Sequence, residues 1–99
     1  MLKCRIKFAK YGTMKFIGHL DIMRFFQKVF RRSGIDIAYT EGFSPHQVMS
    51  FASPLGVGVC SNGEYLDVTL NSATTSEDMI RRMNEQTVEG IDILAFQEL

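Results

Sequence analysis

Leu2, Cys4, Ile6 and Phe8 alternate with Lys3, Arg5 and Lys7, and this opening alternation soon gives way to a helical stripe. Period two puts the apolar side chains on one face of a strand and the cations on the other. Tyr11-Gly12-Thr13 breaks the strand. From about His19 to Ser33 the apolar residues Ile22, Met23, Phe26, Val29 and Phe30 recur at helical spacing, and Gly34 supplies a stop. Asp21, Arg24, Lys28, Arg31 and Arg32 fall on the other side of that helix. A half-apolar strand followed by a half-apolar helix must bury one against the other, so the chain is constrained to a two-layer fold.

The rest of the chain extends this pattern. Residues 35–39 read as a second strand, and 40–54 as an irregular stretch with turn residues at Gly42, Ser44-Pro45 and Ser53-Pro54. Residues 55–60 read as a Gly-spaced strand, and Ser61-Asn62-Gly63 as a hairpin turn. Residues 65–70 alternate again, with Leu66, Val68 and Leu70 inward and Tyr65, Asp67 and Thr69 outward. Thr75-Ser76-Glu77-Asp78 caps a second helix carrying Met79, Ile80 and Met83, Gly90 ends that region, and 91–96 form a last strand. The expected class is α+β, a ferredoxin-like βαββαβ unit with an antiparallel sheet and two helices on one face. Its open face would carry Lys3, Arg5 and Lys7 beside Tyr65, Asp67 and Thr69.

A chain of 99 residues forms one domain, 1–99. No apolar run is long enough to span a membrane. Charges interrupt the N-terminus before any signal-peptide core forms, so the expected location is the cytoplasm with reduced thiols. Cys4 and Cys60 cannot supply the thiolates of an iron–sulfur cluster, so no cofactor is expected in this chain. The zero net charge hides an asymmetry: residues 1–50 carry nine Lys/Arg against three Asp/Glu, whereas 51–99 carry two against eight. Such a polar molecule suits an anion on its basic side. The structural alternative is pairing between the two halves.

Both histidines sit in polar clusters, Gly18-His19-Leu20-Asp21 with Arg24, and Glu41-Gly42-Phe43-Ser44-Pro45-His46. A helix N-terminus at His19 offers free N–H groups to an anion, and His19 and Arg24 add charge-assisted bonds. The alternative is that His19 caps the helix and Asp21 pairs with Arg24. His46 follows a proline-shaped loop, and long loops in small domains often carry function. The candidate substrate or anion site is therefore His19, Asp21, Arg24, Ser44 and His46. Lys3, Arg5, Lys7, Lys28, Arg31 and Arg32 are the candidate nucleic-acid contacts. No close His spacing suggests a metal site, and none is assigned. If the chain is an enzyme, His19 and His46 are the acid–base candidates of a metal-independent RNA-processing or metal-assisted hydrolytic reaction. Cys4, inward on a strand, reads as a buried inert thiol.

Several runs together resemble a known family: Lys15-Phe16-Ile17-Gly18-His19-Leu20-Asp21-Ile22-Met23-Arg24, Tyr39-Thr40-Glu41-Gly42-Phe43-Ser44-Pro45-His46, and Ser50-Phe51-Ala52-Ser53-Pro54-Leu55-Gly56-Val57-Gly58. With Glu64-Tyr65-Leu66-Asp67-Val68, they are similar to the radical-SAM-linked bacterial domain of unknown function. Gly18 stands where that family commonly has Ser. The resemblance implies that the family domain continues beyond the point equivalent to Leu99. It also implies work beside a radical S-adenosylmethionine (radical SAM) protein, which would carry the iron–sulfur cluster and S-adenosylmethionine. The reading that follows is an accessory substrate-binding module, with tRNA or rRNA as candidate substrate. The alternatives are the small hydrolytic enzyme and a structural docking domain with no ligand.

Overall fold

The computed structural model describes residues 1–42, 45–51 and 61–99, with the side chains of Lys15, His19 and residues 61–63 outside that description. Strand β1 spans Leu2–Lys10, helix α1 His19–Ser33, β2 Met49–Phe51, β3 Ser61–Leu70, helix α2 Ser76–Asn84 and β4 Ile91–Glu98. A short 3-10 turn, Gly12–Phe16, links β1 to α1. The strands form one antiparallel sheet in the order β2-β3-β1-β4.

The alternation that opens the chain sets the core. Cys4, Ile6 and Phe8 are fully buried and join Leu66, Val68 and Leu70 of the neighbouring β3. Ile22, Phe26, Val29 and Phe30 of α1, with Met79 and Met83 of α2, complete the same cluster. Both helices therefore close over one face of the sheet. Phe26 is the hub: its ring meets Phe8 edge-on at 4.9 Å and lies near Phe25, Phe30 and Phe51. Met23, expected in the core stripe, is only half-buried.

Both helix ends follow their sequence signals. Gly34 adopts the left-handed conformation at φ 68°, and its N–H donates to the Phe30 carbonyl. Arg82 reaches across from α2 and donates to the Gly34 carbonyl at 3.3 Å. At the start of α2, the Thr75 hydroxyl accepts the Asp78 N–H at 3.2 Å.

Three expectations change. Residues 35–39 are not a strand; they carry only isolated bridges, Ile37 to Leu70 and Tyr39 to Gln47. Side-chain bonds to residues distant in the chain hold this segment as well, since Asp36 accepts from the Asn71 amide and the Ser72 hydroxyl. Within the stretch taken as irregular, Met49–Phe51 pairs with β3 and forms the sheet edge. Ser61-Asn62-Gly63 does not turn; it extends β3, opposite a register shift between Phe8 and Lys10. There Asn-Gly serves an irregular ladder rather than a hairpin. The strand expected at 55–60 and Cys60 lie outside the described residues. A second irregularity, between Lys7 and Phe8 against β4, switches β4's buried positions from Ile91 and Ile93 to Phe96. Among the described residues, no helix is long and apolar enough to cross a membrane.

Candidate functional site

The six cations taken as candidate nucleic-acid contacts divide between two faces. Because Cys4, Ile6 and Phe8 point to the helices, Lys3, Arg5 and Lys7 point to the open face of the sheet. Lys28, Arg31 and Arg32 lie on the solvent side of α1, exposed and away from the sheet.

The two groups differ in their partners. Arg5 donates from Nε to Asp67 Oδ1 at 2.7 Å and from Nη2 to Oδ2 at 3.0 Å. Its guanidinium carbon lies 5.8 Å from the centre of the Tyr65 ring. The hydrogen bonds from Arg5 hold the Asp67 carboxyl below its ordinary range, and those to Asp67 raise the Arg5 guanidinium. Arg5 is thus tied down by the cross-strand pairing that its neighbour allows. Arg81 pairs with Asp78 and Glu85 within α2. Arg5–Asp67 joins the two halves of the chain, and among the described residues Lys28, Arg31 and Arg32 have no ion-pair partner. These three cations of α1 are therefore not neutralised by an ion pair among the described residues.

The N-terminal cluster keeps its polar surface. Gly18, not His19, occupies the N-cap of α1, and its carbonyl accepts the Ile22 N–H at 3.0 Å. Asp21 lies in the first turn and meets Arg24 at 4.0 Å, both well exposed. Such a contact is worth at most about 1 kcal/mol. His19 heads the helix, but its side chain is outside the described residues.

His46 sits elsewhere. Thr40 and His46 pair: the Thr40 N–H donates to the His46 carbonyl at 2.8 Å, and the His46 N–H donates to Thr40 Oγ1 at 3.2 Å. Beside α1 this pairing leaves a cleft of about 350 Å³ lined by Gln27, Arg31, Tyr39, Pro45, His46 and Gln47. Gln27, the nearer helix residue in it, lies about 12 Å along the helix axis from His19. The structure thus brings His46 and Arg31 together and sets them against the half of α1 remote from His19. Ser44 lies outside the described residues.

Sequence reasoning missed three members of this cleft. Gln27 was readable, because it falls one helical turn before Arg31. Tyr39 was assigned to a strand, and Gln47 gave no signal. Yet Gln47 is the most constrained of them. Only 7% exposed, it donates from Nε2 to the Gln27 carbonyl at 3.3 Å, and its Oε1 has no hydrogen-bond partner among the described residues. An unsatisfied buried acceptor costs about 1–3 kcal/mol.

Cys4 is buried as expected, and burial raises its thiol pKa. Among the described residues, no group of His, Cys, Asp and Glu is arranged to hold a metal ion. Comparison with curated proteins finds no match. A family model does match, over residues 3–99, nearly the whole chain. The chain belongs to the family described as uncharacterized proteins conserved in bacteria, DUF2344.

Proposed function

We propose that this domain is an accessory module that binds single-stranded regions of RNA, such as those of tRNA or rRNA, through the solvent face of α1. In this reading it presents the RNA to a radical SAM protein, which supplies the iron–sulfur cluster and S-adenosylmethionine. The observation that carries it is the cluster Lys28, Arg31 and Arg32 on the helix that flanks the His46 cleft, without an ion-pair partner among the described residues. Lys28 lies one turn from both arginines, and like charges at that spacing repel by a few tenths of a kcal/mol. The C-terminal helix dipole offsets part of this. A polyanion would offset the rest.

The fold reading here is ferredoxin-like. It is supported by the strand order β2-β3-β1-β4, with α1 following β1 and α2 following β3. His19, Asp21 and Arg24, at the other end of α1, would extend the path of the chain along the helix.

The test is equilibrium binding of fluorescent single-stranded RNA across a salt series. Engagement of three phosphates by α1 gives a slope of log K against log salt of about −2. No binding at about 50 mM salt would overturn the reading. Co-purification with a radical SAM protein in the absence of any RNA affinity would favour the docking alternative. Cleavage of the RNA that disappears in His46→Ala would favour the enzyme.

A further inference from the structure

The cleft beside α1 combines an aromatic ring, a cation and an oriented amide, and these do different things. Tyr39 is about half exposed and lines the cleft, so its ring is accessible at the surface. Arg31 stands one helical turn beyond Gln27 and is exposed. Gln47 is the buried member of the lining. The Gln27 carbonyl can only accept, so it selects Nε2 of the Gln47 amide, and Oε1 is left buried with no hydrogen-bond partner among the described residues, an acceptor that a ligand gains only when the amide turns outward. The Gln27 contact is long at 3.3 Å, so little holds the amide back from a better donor. At about 350 Å³ the cleft falls at the small end of ligand pockets, which suits one nucleotide rather than a helix of stacked bases.

We infer that this cleft takes one unstacked nucleobase of a single-stranded RNA. The inference rests on the RNA reading above and adds what is bound at the cleft. The base lies on the Tyr39 ring, the Gln47 amide leaves its long contact with Gln27 and turns outward so that Oε1 accepts an N–H of the base edge, and Arg31 holds an adjacent phosphate. Splayed bases stacked on aromatic side chains and read on their edges are the usual route to recognition of single-stranded RNA.

The experiment compares ribo-oligonucleotides of one length: an adenosine homopolymer, a uridine homopolymer and an abasic ribose-phosphate chain, with free adenosine monophosphate as a further arm. Wild-type protein should bind a base-bearing chain about tenfold more tightly than the abasic one, the scale of one stacked base. Tyr39→Ala and Gln47→Leu should each remove most of that difference and leave abasic binding unchanged. Tyr39 is at the surface, so its variant tests the inference even if Gln47→Leu fails to fold. Equal binding of base-bearing and abasic chains by wild type would overturn the inference and leave the RNA reading standing. Absence of binding to any chain would remove both. Free adenosine monophosphate binding as tightly as the oligonucleotide would overturn the RNA part and make a free nucleotide the ligand.

Discussion

On the sheet's open face the central cation, Arg5, is clamped in a fork with Asp67 and lies over Tyr65. On the far side of the molecule, α1 carries Lys28, Arg31 and Arg32 exposed, with no ion-pair partner among the described residues. The sequence gives both regions the same composition, a run of cations facing solvent. What separates them is the neighbour. β3 pairs Asp67 directly opposite Arg5, whereas the acid nearest the α1 cations in sequence, Asp36, is engaged with Asn71 and Ser72. A basic strand beside an acidic one stabilises the sheet, and a basic helix end with no acid beside it is left to an external anion.

The largest expected effect breaks that comparison directly. Changing Lys28, Arg31 and Arg32 together to Glu should lower RNA affinity at least thirtyfold, on the order of 2 kcal/mol or more, and should flatten the salt slope toward zero. The matching change of Lys3 and Lys7 to Glu, which spares Arg5, should cost less than threefold. Binding titrations of the two variants side by side decide the matter. Equal losses would mean that the open sheet face is an RNA surface too.

A smaller effect sharpens how α1 holds its charges in place. Gly34 ends the helix one residue after Ser33 in a left-handed conformation that a Cβ disfavours, while Arg82 caps its carbonyl. Gly34→Ala should destabilise the domain by about 1–2 kcal/mol, a fall in Tm on the order of 5–15 °C for a chain of this size. The added Cβ would meet only the Arg82 guanidinium, at ordinary van der Waals distance. The cost is therefore conformational rather than steric. Binding of the folded protein to RNA should change less than the melting temperature implies, as calorimetry and titration would establish.

Much of the scaffold was legible from period and punctuation. The alternation of β1 and β3, the stripe and stop of α1 and the cap of α2 are local signals, and the described residues bear them out. The misreadings share a cause. Residues 35–39 have strand composition but spend their hydrogen bonds on Asn71, Ser72 and single bridges. Asn62-Gly63 has hairpin composition but lies beside a register shift in β3. In each case the outcome depends on a partner distant in the chain. The candidate site behaves likewise. His46 and Arg31 are separate candidates in the sequence, but their meeting depends on the pairing of Thr40 with His46, which has no periodic signature. Gln47, the buried amide of that cleft, looks like any loop glutamine in the sequence.

The smallest effect concerns the paired region, and its sign follows from linkage. The Arg5 hydrogen bonds depress the Asp67 pKa in the folded state. Asp67 therefore contributes stability that is present above its unfolded pKa, near 4, and is lost as pH falls through the lower folded value. Asp78 is depressed as well, chiefly by the Thr74 hydroxyl and then by Arg81, so the acid limb has two contributors. Asp67→Asn should remove one of them. The variant should be slightly less stable than wild type at pH 7, by about 0.2–1 kcal/mol given the partial exposure of the pair. The gap should close as pH drops below about 4. Denaturant midpoints across pH 2–8 read this convergence, and a gap that stayed constant would show that the charge of Asp67 contributes nothing to the Arg5–Asp67 fork. The same variant also turns the paired region toward the unpaired one, because it leaves Arg5 without its carboxylate. If lack of an acidic partner is what makes the α1 cations available to RNA, Asp67→Asn should raise RNA affinity about twofold, with a salt slope steeper by under one unit.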